Sequence, residues 1–135
     1  MTDVLRVPVH RRFSDLDPLG HVNNVVFHDY LQEARVALIG DLSLVSGAGL
    51  GQVLVSQDIS YVRPLMHGRE PVMIDVWITR IGGSSYGIAY VIRDENDVIV
   101  AKATSVVACI DEATGRPIRI PERVRSILEP LLRAQ

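Results

Sequence analysis

Apolar and polar side chains alternate between residues 5 and 13, where Leu5, Val7 and Val9 share one face and polar side chains mostly take the other. This two-residue period predicts a half-buried β-strand. Pro8 favours a position at a sheet edge or a bulge, because proline has no N–H to give to a central ladder. Residues 14–21 are rich in Asp, Pro and Gly, and they predict a structured loop.

The pattern then changes to a helical period over residues 23–40. Apolar side chains recur three to four positions apart and form one stripe: Phe27, Tyr30, Leu31, Ala34 and Leu38. Polar side chains take the opposite side, Asn23 is a suitable N-cap and Gly40 is a suitable stop. These features predict one long amphipathic helix.

Four strand-like runs follow a glycine-rich connection that contains Gly47, Gly49 and Gly51. The runs span about residues 53–63, 71–81, 85–93 and 98–110, separated by His67-Gly68, Gly82-Gly83 and the polar cluster 94–97. Short links between consecutive strands predict antiparallel neighbours, and therefore a four-strand meander. A final segment from Pro121 to Leu132 predicts a short helix that Pro130 ends or kinks.

The order of these elements predicts an α+β architecture. Only one predicted helix is long enough to cover the sheet, so the economical packing is a curved antiparallel sheet wrapped around that long central helix. We expect residues 1–135 to form a single domain, because this length leaves room for one core. So small a domain leaves a sheet edge poorly covered, which favours self-association into at least a dimer.

Composition and charge narrow the class of protein. Fourteen basic residues against sixteen acidic ones give a net charge of -2, unlike the basic balance of nucleic-acid binders. No run approaches the roughly 20 apolar residues of a membrane span and no leader is apparent, so we expect a cytosolic protein. The lone Cys109 cannot form an internal disulfide, and no spaced Cys/His cluster suits structural zinc, so we expect neither a metal nor another cofactor.

Two neighbouring features carry candidate chemistry. Asp17 lies in a Pro/Gly loop just before the predicted helix, and Asn23 and Asn24 lie at the helix start, where unpaired backbone N–H groups carry partial positive charge. A carboxylate can act as nucleophile or as general base toward water, and such N–H groups stabilise the oxyanion formed when an acyl carbonyl is attacked. The pair suits acyl transfer or hydrolysis. Residue types and spacing alone favour the plainer interpretation, a turn residue and a helix cap.

The run from Phe13 to Asn24 reads Phe-Ser-Asp-Leu-Asp-Pro-Leu-Gly-His-Val-Asn-Asn, and Tyr-Leu-Gln-Glu-Ala-Arg follows at residues 30–35. This motif resembles the signature of the hotdog-fold acyl-coenzyme A thioesterases of the 4-hydroxybenzoyl-coenzyme A type. Residues 61–65, 81–86 and 111–121 are similar to that family as well, so the resemblance covers essentially the whole chain. It implies a sheet wrapped around a central helix, homodimers whose sheets join edge to edge and often pair into homotetramers, and active sites at the subunit interface.

The resemblance also implies roles for particular residues. The family's catalytic carboxylate falls on Asp17, either as nucleophile or as general base, and its oxyanion donor falls on the backbone N–H of Asn24. The active-site histidine of plant acyl-carrier-protein thioesterases falls on His21. Those enzymes carry an asparagine where this chain has Leu19, so their full polar set is not shared, and other branches place His or Tyr at the position of Asn24.

Further candidates each have two interpretations. Asn23 shapes the site or only caps the helix, and Arg63 reaches a phosphate of coenzyme A or only belongs to a bend. For Asp15 we favour a structural role in the loop over cooperation with Asp17, because two close carboxylates raise each other's cost of ionisation. Glu33 positions water or belongs to a solvated helix face.

Three functions are compatible with the sequence. The leading hypothesis is an acyl-CoA thioesterase that releases a free acid and coenzyme A. The second is a hydratase or dehydratase of enoyl or hydroxyacyl thioesters, but related hotdog enzymes use Asp and His five positions apart in an Asp-x-Asn-Pro-x-His setting, whereas Asp17 and His21 are four apart without Asn-Pro. The third is a non-catalytic module that binds acyl thioesters. The acyl group, and coenzyme A against carrier protein as its thiol, stay open.

Overall fold

The strands join into one antiparallel sheet in the computed structural model, which describes residues 4–40, 46–47 and 49–133. Across the sheet the strands have the order β1-β4-β5-β6-β3-β2, and every neighbouring pair is antiparallel. Their bounds are β1 Leu5–Val9, β2 Ser46–Gly47, β3 Leu50–Tyr61, β4 Val72–Ile81, β5 Ser85–Arg93 and β6 Ile99–Asp111. Gly47 and Gly51 of the predicted connection therefore belong to strands, and residues 41–45 and 48 lie outside the described residues.

The predicted four-strand meander is correct for β4, β5 and β6 and wrong for β3. Short links at residues 82–84 and 94–98 join the first three as hairpins. β3 pairs with β6 rather than β4. The residues between β3 and β4, 62–71, form no tight turn, because the N–H groups of Val62 and Arg63 both donate to the carbonyl of Val100 and lead the chain along β6. We call residues 62–71 the crossover segment.

The helix α1 spans Val26–Ile39 and confirms the predicted long helix. Gly40 ends it in the left-handed conformation, at φ 74°, and its N–H donates to the carbonyl of Val36. The start differs from the prediction, because Val25 rather than Asn23 occupies the N-cap position. The side-chain oxygen of Asn23 accepts the Val25 N–H at 2.9 Å, so Asn23 closes a separate turn that leads into the helix.

The core lies between α1 and the sheet. The helix buries the predicted apolar stripe, with Phe27, Tyr30, Leu31, Ala34 and Leu38. Alternate positions of the strands supply the other side, with Ile74, Val76, Ile78, Ile88, Tyr90 and Ile92. The second helix, α2 (Glu122–Leu128), adds Val124 and Leu128, and it gives way to a 3-10 turn that contains Pro130, as predicted. The α+β prediction of a curved sheet around a central helix is confirmed.

The two sheet edges differ in how they are finished. β1 forms one edge, as Pro8 predicted, and it ends at Val9. The chain then enters a 3-10 turn at Phe13–Asp15, which the Asp15 carboxylate stabilises by accepting the N–H of Arg12. At the other edge, β2 pairs only with the first two residues of β3. From residue 53 to residue 61 the outer edge of β3 has no neighbouring strand in the described part of the chain.

No helix within the described ranges is both long enough and apolar enough to cross a membrane.

Candidate active site

A cleft of about 410 Å³ opens between residues 17–24, the first turn of α1 and the crossover segment. It brings together five of the candidates that the sequence singled out: Asp17, His21, Asn23, Asn24 and Arg63. The remaining walls come from Val22, Phe27, Tyr61, Val62, Pro64 and Leu65. We call it the loop–helix cleft.

Backbone hydrogen bonds fold residues 16–22 into a closed loop, the Asp17 loop. The Asp17 N–H donates to the His21 carbonyl at 2.7 Å, and the Gly20 N–H donates to the Asp17 carbonyl at 3.0 Å. Gly20 has a φ of 81°, which favours glycine. The Val22 N–H then donates to the Leu65 carbonyl at 2.7 Å, so the crossover segment holds the end of the loop.

The Asp17 carboxylate is oriented by its own loop. Its Oδ1 accepts the N–H of Leu19 at 2.9 Å and the N–H of His21 at 3.1 Å. Its Oδ2 has no hydrogen-bond donor among the described residues, and the side chain is half-buried. One oxygen therefore fixes the group while the other stays available to a substrate or a water molecule.

The backbone N–H of Asn24 stands out among the amides of the turn before α1. The N–H of Asn23 donates to the Asp15 carbonyl, and the N–H of Val25 donates to the Asn23 side chain. The Asn24 N–H has no acceptor in the parts of the chain that the structure describes. It lies at the positive end of a 14-residue helix, where a developing negative charge is stabilised.

Tyr61 is a residue of the site for which the sequence predicted no functional role. Its O–H donates to the carbonyl of Asn24 at 2.9 Å, and its ring meets the Phe27 ring edge-on at 5.2 Å between centroids. Burial raises the pKa of Tyr61, so the hydroxyl keeps its proton and remains a donor. The contact joins positions 37 residues apart, which no local sequence pattern reveals.

His21 and Arg63 also line the loop–helix cleft. The His21 backbone is held on both sides, by Asp17 and by a bridge to Met66, and its ring has no hydrogen-bond partner within the described residues. The Arg63 side chain is exposed, and it forms no ion pair with any carboxylate that the structure describes.

Asp15 has the structural role that the sequence favoured, although as a cap of its own 3-10 turn. It is 2% exposed and accepts the Tyr30 O–H at 2.7 Å, the Arg12 N–H at 2.9 Å and the Arg12 guanidinium at 3.0 Å. Burial alone raises the pKa of Asp15, but these three donors outweigh it and hold the pKa below its usual 3.8.

Glu33 lies in a separate cleft with Arg12 and Asp29, away from the Asp17 loop.

The described ranges contain no group of three or more His, Cys, Asp or Glu side chains placed to hold a metal ion. Cys109 is buried in β6, as expected of a small core residue.

Comparison with known proteins gives a consistent answer. A Bacillus subtilis protein provisionally named as an acyl-CoA thioesterase is 28% identical over 120 residues, or 86% of each chain. A chloroplast acyl-acyl carrier protein thioesterase of Arabidopsis thaliana is 26% identical over 141 residues, which cover 98% of this chain and 72% of that protein. A Thermus thermophilus thioesterase, solved in complex with coenzyme A and zinc, is 34% identical with a TM-score of 0.78, covering 95% of this chain and 93% of the other.

The family model described as the thioesterase-like superfamily matches residues 11–128, a range that contains the whole loop–helix cleft. The structure has the hotdog arrangement that the loop motif implied. The chain therefore belongs to the thioesterase-like superfamily, within the hotdog-fold acyl-CoA thioesterases that its motif resembles.

Proposed function

We propose that this chain hydrolyses an acyl-CoA thioester to a free acid and coenzyme A in the loop–helix cleft. Thioester hydrolysis is the reaction of the family to which the chain belongs. One juxtaposition carries the proposal for the site: the oriented Asp17 carboxylate shares a cleft with the Asn24 N–H, which has no acceptor within the described residues. The proposed reaction uses no cofactor.

In the proposed reaction, the thioester carbonyl oxygen accepts a hydrogen bond from the Asn24 N–H. The carboxylate of Asp17 then takes a proton from a water molecule that attacks the carbonyl carbon, or attacks the carbon itself to give an anhydride that water hydrolyses. In both routes the carbon–sulfur bond breaks and the thiolate of coenzyme A leaves and takes up a proton. His21, which lines the same cleft, is proposed to orient the water, and Asn23 to shape the turn.

Release of free thiol from a panel of acyl thioesters tests this function. The panel contains short, medium and long aliphatic acyl-CoAs, an enoyl-CoA, an aromatic acyl-CoA and the matching acyl-carrier-protein thioesters. We expect free thiol and carboxylic acid in equal amounts from at least one acyl-CoA. A change at the double bond of an enoyl-CoA without thiol release would instead establish a hydratase, and binding without turnover would establish a binding module.

Alanine at position 24 keeps the backbone N–H and removes only the side chain. Since the proposal uses the N–H, Asn24→Ala is expected to keep kcat/KM within about threefold of native, the range of an ordinary surface substitution. Steady-state kinetics on the best acyl-CoA of the panel measure this. A loss of kcat/KM of tenfold or more would show that the Asn24 side chain, rather than its backbone N–H, stabilises the transition state.

Arg63 is proposed to contact a phosphate of coenzyme A, because its guanidinium is exposed at the cleft with no carboxylate partner among the described residues. Arg63→Ala is expected to raise KM for acyl-CoA by about three- to tenfold, the worth of one exposed charged contact. Thioesters of N-acetylcysteamine lack the phosphates, so their KM should not change. Arg69→Ala removes an exposed arginine outside the cleft lining and serves as the control.

Self-association through the open edge of β3 is proposed to complete the enzyme as a homodimer or homotetramer. Val53, Leu54 and Val55 are 40%, 44% and 61% exposed beside that edge. Exposed apolar side chains on a strand without a neighbour are typical of strand-to-strand association. A cytosolic location without a membrane partner belongs to the same proposal. So does the absence of a nucleic-acid partner, which the net charge of -2 supports.

A further inference from the structure

A buried arginine lies behind the loop–helix cleft. The side chain of Arg11 is 1% exposed. Its Nη1 donates to the Met66 carbonyl at 2.8 Å, and its Nη2 donates to the Glu70 carbonyl at 2.7 Å. The Nη2 also pairs with the Glu95 carboxylate in the β5–β6 link. One guanidinium therefore holds two backbone positions of the crossover segment and ties both to the sheet.

The crossover segment is also a wall of the cleft and a support of the Asp17 loop. Its residues Val62 to Leu65 line the cleft. The Leu65 carbonyl accepts the Val22 N–H, and Met66 pairs with His21. Arg11 and the Asp17 loop thus bind the same short piece of backbone, at Met66 and its neighbour Leu65.

The local packing is arranged around this guanidinium. A Cβ at Gly68 would lie 2.5 Å from Nη2 of Arg11 and 2.5 Å from the Glu95 carboxylate, so only glycine leaves the ion pair its space. The Nε of Arg11 is buried and has no hydrogen-bond partner among the residues that the structure describes. A buried donor without an acceptor lowers the stability of the fold. Hydrogen bonding alone therefore does not explain the placement of Arg11.

We propose that Arg11 is a positioning residue of this thioesterase: by fixing Met66 and Glu70 it sets the cleft wall and, through Leu65 and Met66, the position of the Asp17 loop. Arg11 touches neither substrate nor water in this proposal. The proposal rests on the proposed function, because its kinetic effect is measured on thioester hydrolysis. In this proposal the crossover segment both links β3 to β4 and aligns the Asp17 loop.

Three variants and one matched control test it. Arg11→Gln removes the charge and the forked guanidinium. Arg11→Lys keeps the charge but has a single nitrogen for the three acceptors, and Gly68→Ala displaces the guanidinium. The control is Asp75→Asn, which weakens the two ion pairs that the buried Asp75 carboxylate forms with Arg6 and Arg93. These three residues lie on β1, β4 and β5, outside the cleft lining.

The comparison is made at a temperature where the native protein and all four variants are folded. We expect Arg11→Gln and Gly68→Ala to lower kcat about tenfold or more, with KM changed less than about threefold, because misalignment acts on the transition state. The kcat of Arg11→Lys should lie between those of native protein and Arg11→Gln. Asp75→Asn should keep kcat within about twofold of native, even if its melting temperature falls as much as that of the Arg11 variants. Equal kcat losses in the Arg11 variants and the control at equal folded fraction would overturn the proposal.

Amide hydrogen exchange provides a readout that does not depend on activity. The N–H groups of Asp17 and Val22 should exchange about tenfold faster in Arg11→Gln than in native protein or Asp75→Asn, because their loop loses its support. Unchanged exchange at both positions would overturn the proposal even if kcat fell. Should the native protein hydrolyse no thioester, the proposed function fails, and the exchange rates still decide whether Arg11 holds the loop.

Discussion

Asp17→Asn is expected to lower kcat/KM for the best acyl-CoA substrate at least a hundredfold, which corresponds to about 2.7 kcal/mol of lost transition-state stabilisation. Asparagine keeps an oxygen that can accept the N–H groups of Leu19 and His21, so the loop retains its hydrogen bonds. The amide is neither a base toward water nor a nucleophile, so only the chemistry is removed. Asp17→Ala, which also removes the acceptor, should be at least as impaired. Free-thiol release under saturating and limiting substrate measures both variants.

The chain contains a matched control for this experiment. The Oδ1 of Asp94, in the β5–β6 link, accepts the N–H groups two and four residues later, as the Oδ1 of Asp17 does. Asp94 lies outside the loop–helix cleft. Asp94→Asn therefore makes the same substitution in a turn with the same hydrogen bonds, but outside the candidate active site. It should keep kcat/KM within about threefold of native. Equal losses in Asp17→Asn and Asp94→Asn, or activity that survives Asp17→Ala, would contradict the proposed mechanism.

The largest effect on stability is expected from Asp15→Ala, which should lower the free energy of unfolding by about 2–4 kcal/mol. The substitution removes a buried carboxylate that accepts three hydrogen bonds, and it leaves the Tyr30 hydroxyl without that acceptor inside the core. Urea denaturation measures the loss. Tyr30→Phe removes a single hydrogen bond and should cost only about 1 kcal/mol.

Acidification gives a second measurement of the same group. The pKa of Asp15 is lower in the folded protein than its usual value of 3.8, so the native state binds this proton less readily than the unfolded chain. Its contribution to stability is therefore fully present above pH 3.8 and is lost as the pH falls through the folded-state pKa. The stability difference between native protein and Asp15→Ala should shrink in that acidic window. A difference that stays constant down to pH 3 would contradict the assignment.

The two aspartates also separate stability from catalysis. Asp15→Ala leaves both hydrogen bonds to the Asp17 carboxylate in place, so the folded fraction of that variant should keep near-native kcat. Asp17→Asn should keep a near-native free energy of unfolding but lose most of the thioesterase activity. The two residues are two positions apart in one motif, and burial divides their roles: Asp15 is 2% exposed, whereas Asp17 lines the cleft.

Local patterns predicted the elements well, since the forces that form them act between near neighbours. The stripe from Phe27 to Leu38 specifies α1 because helical side chains three and four apart share a face, and Gly40 ends it in a conformation that glycine tolerates. The motif from Phe13 to Asn24 likewise placed Asp17, His21 and Asn24 together, because a closed loop before a helix keeps these residues within a few positions of each other.

Contacts between distant segments decided the rest. The pairing of β3 with β6, the Tyr61 hydroxyl on the Asn24 carbonyl and the Arg11 guanidinium behind the crossover segment each join residues far apart in the chain. None leaves a periodic signal, because each depends on how the sheet closes around the helix. Local residue patterns were therefore enough to predict the elements and the loop that carries the candidate chemistry. The wall that faces this loop follows from the packing of distant segments, because packing selects partners that local energetics leave equivalent.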